Sequence, residues 1–103
     1  MATFTYGTTS GVSAKDVIHA LGKKQIEITV PATFIWGTDE IVVDLKLFGA
    51  NYITGFQAYE ETTAGSVIVA GTGTTSVASG VLTYVSTGSN VATCGGTLII
   101  HAR

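Results

Sequence analysis

Residues 40–61 read EIVVDLKLFGANYITGFQAYEE, and the spacing of apolar side chains in this stretch decides the class of fold. In its first half Ile41, Val43, Leu45 and Leu47 fall on one side of an extended chain, with Asp44 and Lys46 on the other. A repeat of two is the signature of a strand with one face on a core. After Gly49, Ala50 and Asn51 the alternation resumes, with Tyr52, Thr54, Phe56 and Ala58 set against Ile53, Gly55, Gln57 and Tyr59. Two long runs across so short a link predict a β-hairpin, and Gly55 inside the second run marks a bulge or a close approach of backbone.

Working outward, residues 25–30 are the cleanest earlier case: Ile26, Ile28 and Val30 point one way, and Gln25, Glu27 and Thr29 the other. Pro31 ends that strand because it has no N–H for a ladder. A short extended piece, Phe34-Ile35-Trp36, precedes a turn at Gly37-Thr38-Asp39. Further strands are expected at 66–70, 81–86 and 97–102, with 3–6 as an edge strand. Residues 13–22 allow two readings. Ser13 as an N-cap, Asp16 in a first turn and Gly22 as a stop suit a short helix, while 16–21 also reads as a strand. The Gly, Thr and Ser-rich residues 71–80 read as a loop between strands. The expected fold is therefore all-β: one domain spanning 1–103, a small antiparallel sandwich or barrel of about seven or eight short strands with at most one short helix. Residues 1–11 form an N-terminal strand or arm.

Hydrophobic residues make up 46% of the 103, and mean hydropathy is +0.44, so a core can be filled. The charged fraction, 12%, is about half that of an ordinary soluble domain. Thr, Ser, Gly, Ala and apolar groups must cover the remaining surface, and threonine alone is about one residue in six. Such a surface is poorly defended against association. With a net charge of −2 and no basic run longer than Lys23-Lys24, neither nucleic-acid binding nor a polybasic membrane anchor is expected. The N-terminus lacks a basic segment followed by an apolar one, so no secretory signal is read there. No apolar run approaches a bilayer span.

No catalytic, cofactor-binding or metal-binding set is legible. Residues 70–76, AGTGTTS, depart from the dinucleotide fingerprint at Ser76, where a third glycine belongs, and lack the Lys of a P-loop. His19, His101 and Cys94 are not at ligand spacing. Cys94, the one cysteine, reads as a small hydrophobe in a strand or turn. The pairs Asp39-Glu40 and Glu60-Glu61 read as solvated loop ends rather than a glycosidase dyad, and Asp44 with Lys46 as an ordinary surface pair. Trp36, Tyr52, Tyr59 and Tyr84 have two readings, as anchors of a small β core or as a platform for sugar rings.

Residues 41–61 and the closing 96–103, GTLIIHAR, resemble small virion proteins of tailed bacteriophages, of the capsid decoration or cement kind. The resemblance implies an antiparallel β domain on the outside of a capsid shell, non-enzymatic, often a homo-oligomer, with the major capsid protein as partner and the virion as its location after assembly in the host cytoplasm. Low charge and the absence of a legible site point the same way. A carbohydrate-binding β-sandwich using Trp36 and the tyrosines is the alternative.

Overall fold

The computed structural model describes residues 2–20, 23–63, 65–69, 73–86 and 93–103, and of 15–20 and 23 the backbone. Nine strands lie among them: β1 (Thr3–Thr5), β2 (Ser13–Ala20), β3 (Lys23–Val30), β4 (Glu40–Asp44), β5 (Ile53–Thr63), β6 (Ser66–Val69), β7 (Thr74–Ala78), β8 (Val81–Val85) and β9 (Gly95–Ala102). They form two sheets packed as a sandwich, one of four strands in the order β1-β4-β8-β7 and one of five in the order β2-β3-β9-β5-β6. All pairings are antiparallel except β1 with β4, which is parallel.

The alternation seen in 25–30 becomes cross-strand rows. Ile26 sits opposite Ile100 and Ile100 opposite Phe56; Ile28 opposite Leu98 and Leu98 opposite Ala58. The third row is Val30, Gly96 and Glu60. Facing them from the smaller sheet are Ile41 and Val43 of β4 and Leu82 and Tyr84 of β8, all buried. Phe4 of β1 closes the side of the core in edge contact with Phe34, whose ring meets Trp36 at 5.0 Å.

The hairpin expected across Gly49-Ala50-Asn51 does not form. β4 and β5 belong to different sheets, and the strand ends at Asp44, whose Oδ1 accepts from the Lys46 N–H at 3.1 Å. That bond caps a single 3-10 turn, Leu45–Phe48, and Gly49 at φ 75° closes it by donating to Lys46 O. The turn breaks the alternation: Leu45 stays buried, whereas Leu47 is 64% exposed. The chain thereby crosses from one sheet to the other. The expected surface pair is present at this corner, with Lys46 Nζ 3.9 Å from Asp44 Oδ1.

Three more expectations are corrected or resolved. Residues 13–20 are strand rather than helix, laddered on β3 from Ser13 opposite Thr29 to Ala20 opposite Lys23, with a bulge between Ala14 and Asp16; Leu21 and Gly22 lie outside the described residues. The loop expected at 71–80 contains β7, which ladders on β8 with Thr75 opposite Tyr84 and Val77 opposite Leu82, and Val77 packs against the core while Thr75 stays exposed at the edge. Ser79 and Gly80 have φ of 52° and 77°, the pair of left-handed residues that a two-residue hairpin turn requires. Finally, β1 pairs within its own chain, and the Gly7–Gly11 link folds back through Thr9 N–H to Thr5 O at 2.8 Å and Thr5 N–H to Thr9 Oγ1 at 2.8 Å.

Candidate functional site

Chemistry-bearing side chains gather at one end of the sandwich interior. Glu60 is fully buried because β5 runs on to Thr63, which places it three residues inside the strand on the inward row after Phe56 and Ala58. The solvated loop end expected for it is thus corrected, and so is that of Asp39, which is 2% exposed. Cys94 Sγ lies 3.9 Å from Glu60 Oε1, a long thiol donation. The Trp36 indole Nε1–H donates to Cys94 O at 3.0 Å, and Tyr84 is buried against Phe56, ring centroids 4.8 Å apart.

Burial pushes the Cys94 thiol up, and the Glu60 carboxylate pushes it further; the hydrogen bond with Trp36 works against both. A thiol held protonated is a poor nucleophile and a poor metal ligand, which fits the packing role read for Cys94. Burial first, and Glu60 second, push Tyr84 up to about 12. Nearby, Asp39 and Ser86 form a second buried polar node. Asp39 Oδ1 accepts from Ala2 N–H and Oδ2 from Ile35 N–H, both at 2.9 Å. Ser86 Oγ donates to Asp39 O at 2.7 Å and accepts from Gly37 N–H at 3.0 Å. These bonds fix the 34–40 turn and tie β1 to it, which is structural work.

The candidate aromatic platform is dispersed. Trp36 and Tyr84 are in the core, Tyr59 lies half-buried on the outer face of the larger sheet with its hydroxyl donating to Gln57 Oε1 at 3.2 Å, and Tyr52 stands 48% exposed under the Arg103 guanidinium, 5.2 Å from its ring centroid. His101 is half-buried beside Gly55, whose missing side chain leaves room for the imidazole; the side chain of His19 and residues 70–72 of the glycine-rich segment lie outside the described residues. Among the described residues no cluster of three or more His, Cys, Asp or Glu side chains could hold a metal ion, and no helix is long and apolar enough to cross a membrane.

What the sandwich does present is flat, nearly uncharged surface. Across the outer face of the four-stranded sheet, Thr5, Val42, Thr83 and Ser76 stand side by side on successive strands. The neighbouring rows add Val85 and Thr74 on one side, Val81 and Ala78 on the other. Carboxylates occur only at the rims, and both are engaged: Glu40 Oε1 accepts from Thr3 Oγ1 at 2.8 Å, and Asp44 caps the 3-10 turn. The outer face of the larger sheet carries a groove of about 170 Å³ between Thr29, Glu61, Val67 and Thr97. Sequence reasoning found the shortage of charge but could not assign these residues to one face, since that needs the strand order.

No protein-family model matches the chain, and no curated protein or solved structure matches it significantly.

Proposed function

We propose that this protein is a non-enzymatic structural component of a bacteriophage virion that binds the major capsid protein on the outside of the shell and stabilises it. The observation that carries the reading is the row Thr5, Val42, Thr83 and Ser76 at the middle of an outer sheet face whose only carboxylates sit at its rims. Covering such a face strips water from hydroxyls and methyl groups and leaves no ionised side chain unpaired at its centre, so the desolvation cost that weakens charged interfaces is small. Hydroxyls on adjacent strands supply donors and acceptors for the partner's backbone. The resemblance of residues 41–61 and 96–103 to decoration and cement proteins is the ground for proposing the major capsid protein as partner. Repeated engagement of identical capsid sites by an oligomer then turns individually weak contacts into firm attachment. The sugar-binding alternative loses support, since Trp36 and Tyr84 have their rings in the core.

The test is co-sedimentation of purified protein with particles stripped of it, at low salt and near 1 M, where screening shortens to about 3 Å. Binding that survives high salt, together with greater resistance of the particle to heat, supports the proposal. Thr83→Lys, on the outer face, is expected to abolish binding without altering the melting curve. Failure to bind particles, or release by salt alone, overturns it.

A further inference from the structure

The two sheets have four edge strands, and three are guarded against pairing with another chain. β1 is only three residues long. β2 carries Lys15 and Asp16 beside its bulge, and β7 presents Thr74, Thr75 and Ser76. β6 carries neither a charge nor a proline, and the one irregularity of its ladder, a register shift between Glu61 and Thr63, lies on β5 at the turn end and leaves Val67, Ile68 and Val69 in regular pairing. Its sequence is Ser-Val-Ile-Val, with Val67 57% and Val69 70% exposed. The chain has no Asp, Glu, Lys or Arg between Glu61 and Arg103. Among the described residues β6 pairs with β5 alone, so none of them takes up the backbone groups along its other side.

We propose that β6 is a self-association surface, and that a second copy of this chain occupies it in antiparallel register about a two-fold axis at Ile68. This register is the one in which the strand complements itself. Val67 and Val69 lie opposite Glu61 and Tyr59 and therefore share the outer face; the two-fold sets Val67 opposite Val69 of the second copy and Val69 opposite its Val67. The four valines then form a continuous cross-strand patch, flanked by Tyr59 and Glu61 of each copy, and Ile68 meets its own equivalent on the inner face. Cross-strand pairs of β-branched residues are the contacts that stabilise such a junction. A two-fold also brings every edge residue near its own copy, so a charge on β6 would repel itself, and the edge carries none. The five-stranded sheets of two copies become one ten-stranded sheet. This deepens the capsid reading by naming the surface that builds the oligomer, and it is tested on the protein alone.

The experiment is sedimentation velocity of the full chain from about 1 µM to 1 mM, with Val67→Lys and Val69→Lys as variants. Both positions are exposed, so circular dichroism and melting should stay as in the wild type. A concentration-dependent dimer that either lysine weakens by at least about tenfold is the expected result. Register is read separately: Val67→Cys and Val69→Cys chains, mixed and oxidised, should form the mixed disulfide in preference to either symmetric one, with the wild-type chain and its buried Cys94 as control. A monomer throughout the range, a dimer indifferent to both lysines, or preferential symmetric cross-links overturns the proposal. So does a monomer whose particle binding is lost in Val69→Lys, which would give the edge to a strand of the shell. A monomer that still binds particles defeats this inference and spares the capsid reading, whereas a dimer that binds none does the reverse.

Discussion

Asp39 and Ile35 hold each other twice: the Ile35 N–H donates to Asp39 Oδ2 at 2.9 Å, and the Asp39 N–H donates to Ile35 O at 2.9 Å. The second carboxylate oxygen takes the Ala2 N–H, and Glu40 N–H returns a bond to Ala2 O at 3.0 Å. One buried side chain thus shapes the turn that presents Phe34 and Trp36 to the core and fastens the first strand to the smaller sheet. Asp39→Ala leaves two part-buried amides without their carboxylate acceptor, at a cost of about 1–3 kcal/mol. Urea unfolding should show the lower midpoint. Hydrogen exchange should show amides of β1 losing protection before those of β3 and β9; uniform loss across both sheets would contradict the assigned role.

Gly96 occupies the centre of the third cross-strand row because the Tyr59 backbone, and after it the Trp36 ring, leave no room for a side chain there. A Cβ there would overlap the Tyr59 carbonyl oxygen and come within 3.1 Å of Trp36 Cζ2. The Tyr59 carbonyl belongs to the β5 backbone and cannot move aside without opening the ladder with β9. Gly96→Ala is therefore expected to destabilise by about 3 kcal/mol or more. Gly65→Ala meets no atom within 4 Å and faces only the strain of φ 83°, about 1–2 kcal/mol. Thermal unfolding of the two variants checks the ordering, and equal costs would refute it.

The sequence announces strands more clearly than it announces their partners. Ile26, Ile28 and Val30 alternate in the chain and line the core, because a strand buried on one face must alternate. The same logic misplaces Leu47, since alternation carries no mark of the point where the Asp44 carboxylate caps a turn and ends the strand. It also suggests a hairpin across 49–51, for a short link between two strands looks alike whether they pair or pass between sheets. The Ser79-Gly80 turn is a hairpin signal of its own, masked in the sequence by the surrounding run of Gly, Ser and Thr. Burial of Glu60 could be read only by carrying the inward row of Phe56 and Ala58 two residues further. The neutral outer face and the unguarded β6 edge were visible as composition alone, because both depend on which strands lie at the centre and which at the rim.

Tyr84 should make the fold sensitive to alkali. Its hydroxyl is buried with no hydrogen-bond partner among the described residues, and its titration is pushed up from 10 to about 12. The folded state therefore holds this proton more tightly than the unfolded chain. Its contribution is fully present below pH 10 and is lost as pH rises from about 10 to 12, on the order of 2 kcal/mol. Tyr84→Phe removes both the unpartnered hydroxyl and this dependence. At pH 7 the variant should be as stable as the wild type or more so, by up to about 1 kcal/mol. Above pH 10 the gap should widen in its favour; parallel stability curves for the two proteins from pH 8 to 11 would show that Tyr84 is not the group responsible.

Coupling between Glu60 and Cys94 gives the interior cluster a signature of its own. Burial raises the Cys94 thiol, and the carboxylate 3.9 Å away raises it further by disfavouring a second negative charge. Replacing that carboxylate by an amide of nearly the same shape keeps the burial and removes the charge. In Glu60→Gln the Cys94 titration, followed through its Cβ chemical shift, should move to lower pH while staying above that of an ordinary thiol, because the larger cause remains. The thiolate is then easier to form in the fold, so Cys94 of the variant should react faster with a small alkylating reagent at a fixed alkaline pH at which both proteins remain folded. The sign separates two accounts of the cluster. If the carboxylate acted mainly by accepting the thiol proton, Cys94→Ala and Cys94→Ser would differ greatly in melting temperature, the hydroxyl preserving what the methyl loses. If charge and burial dominate, as the long sulfur–oxygen distance indicates, the two replacements should melt within a few degrees of each other, and the Cys94 midpoint should shift in Glu60→Gln alone.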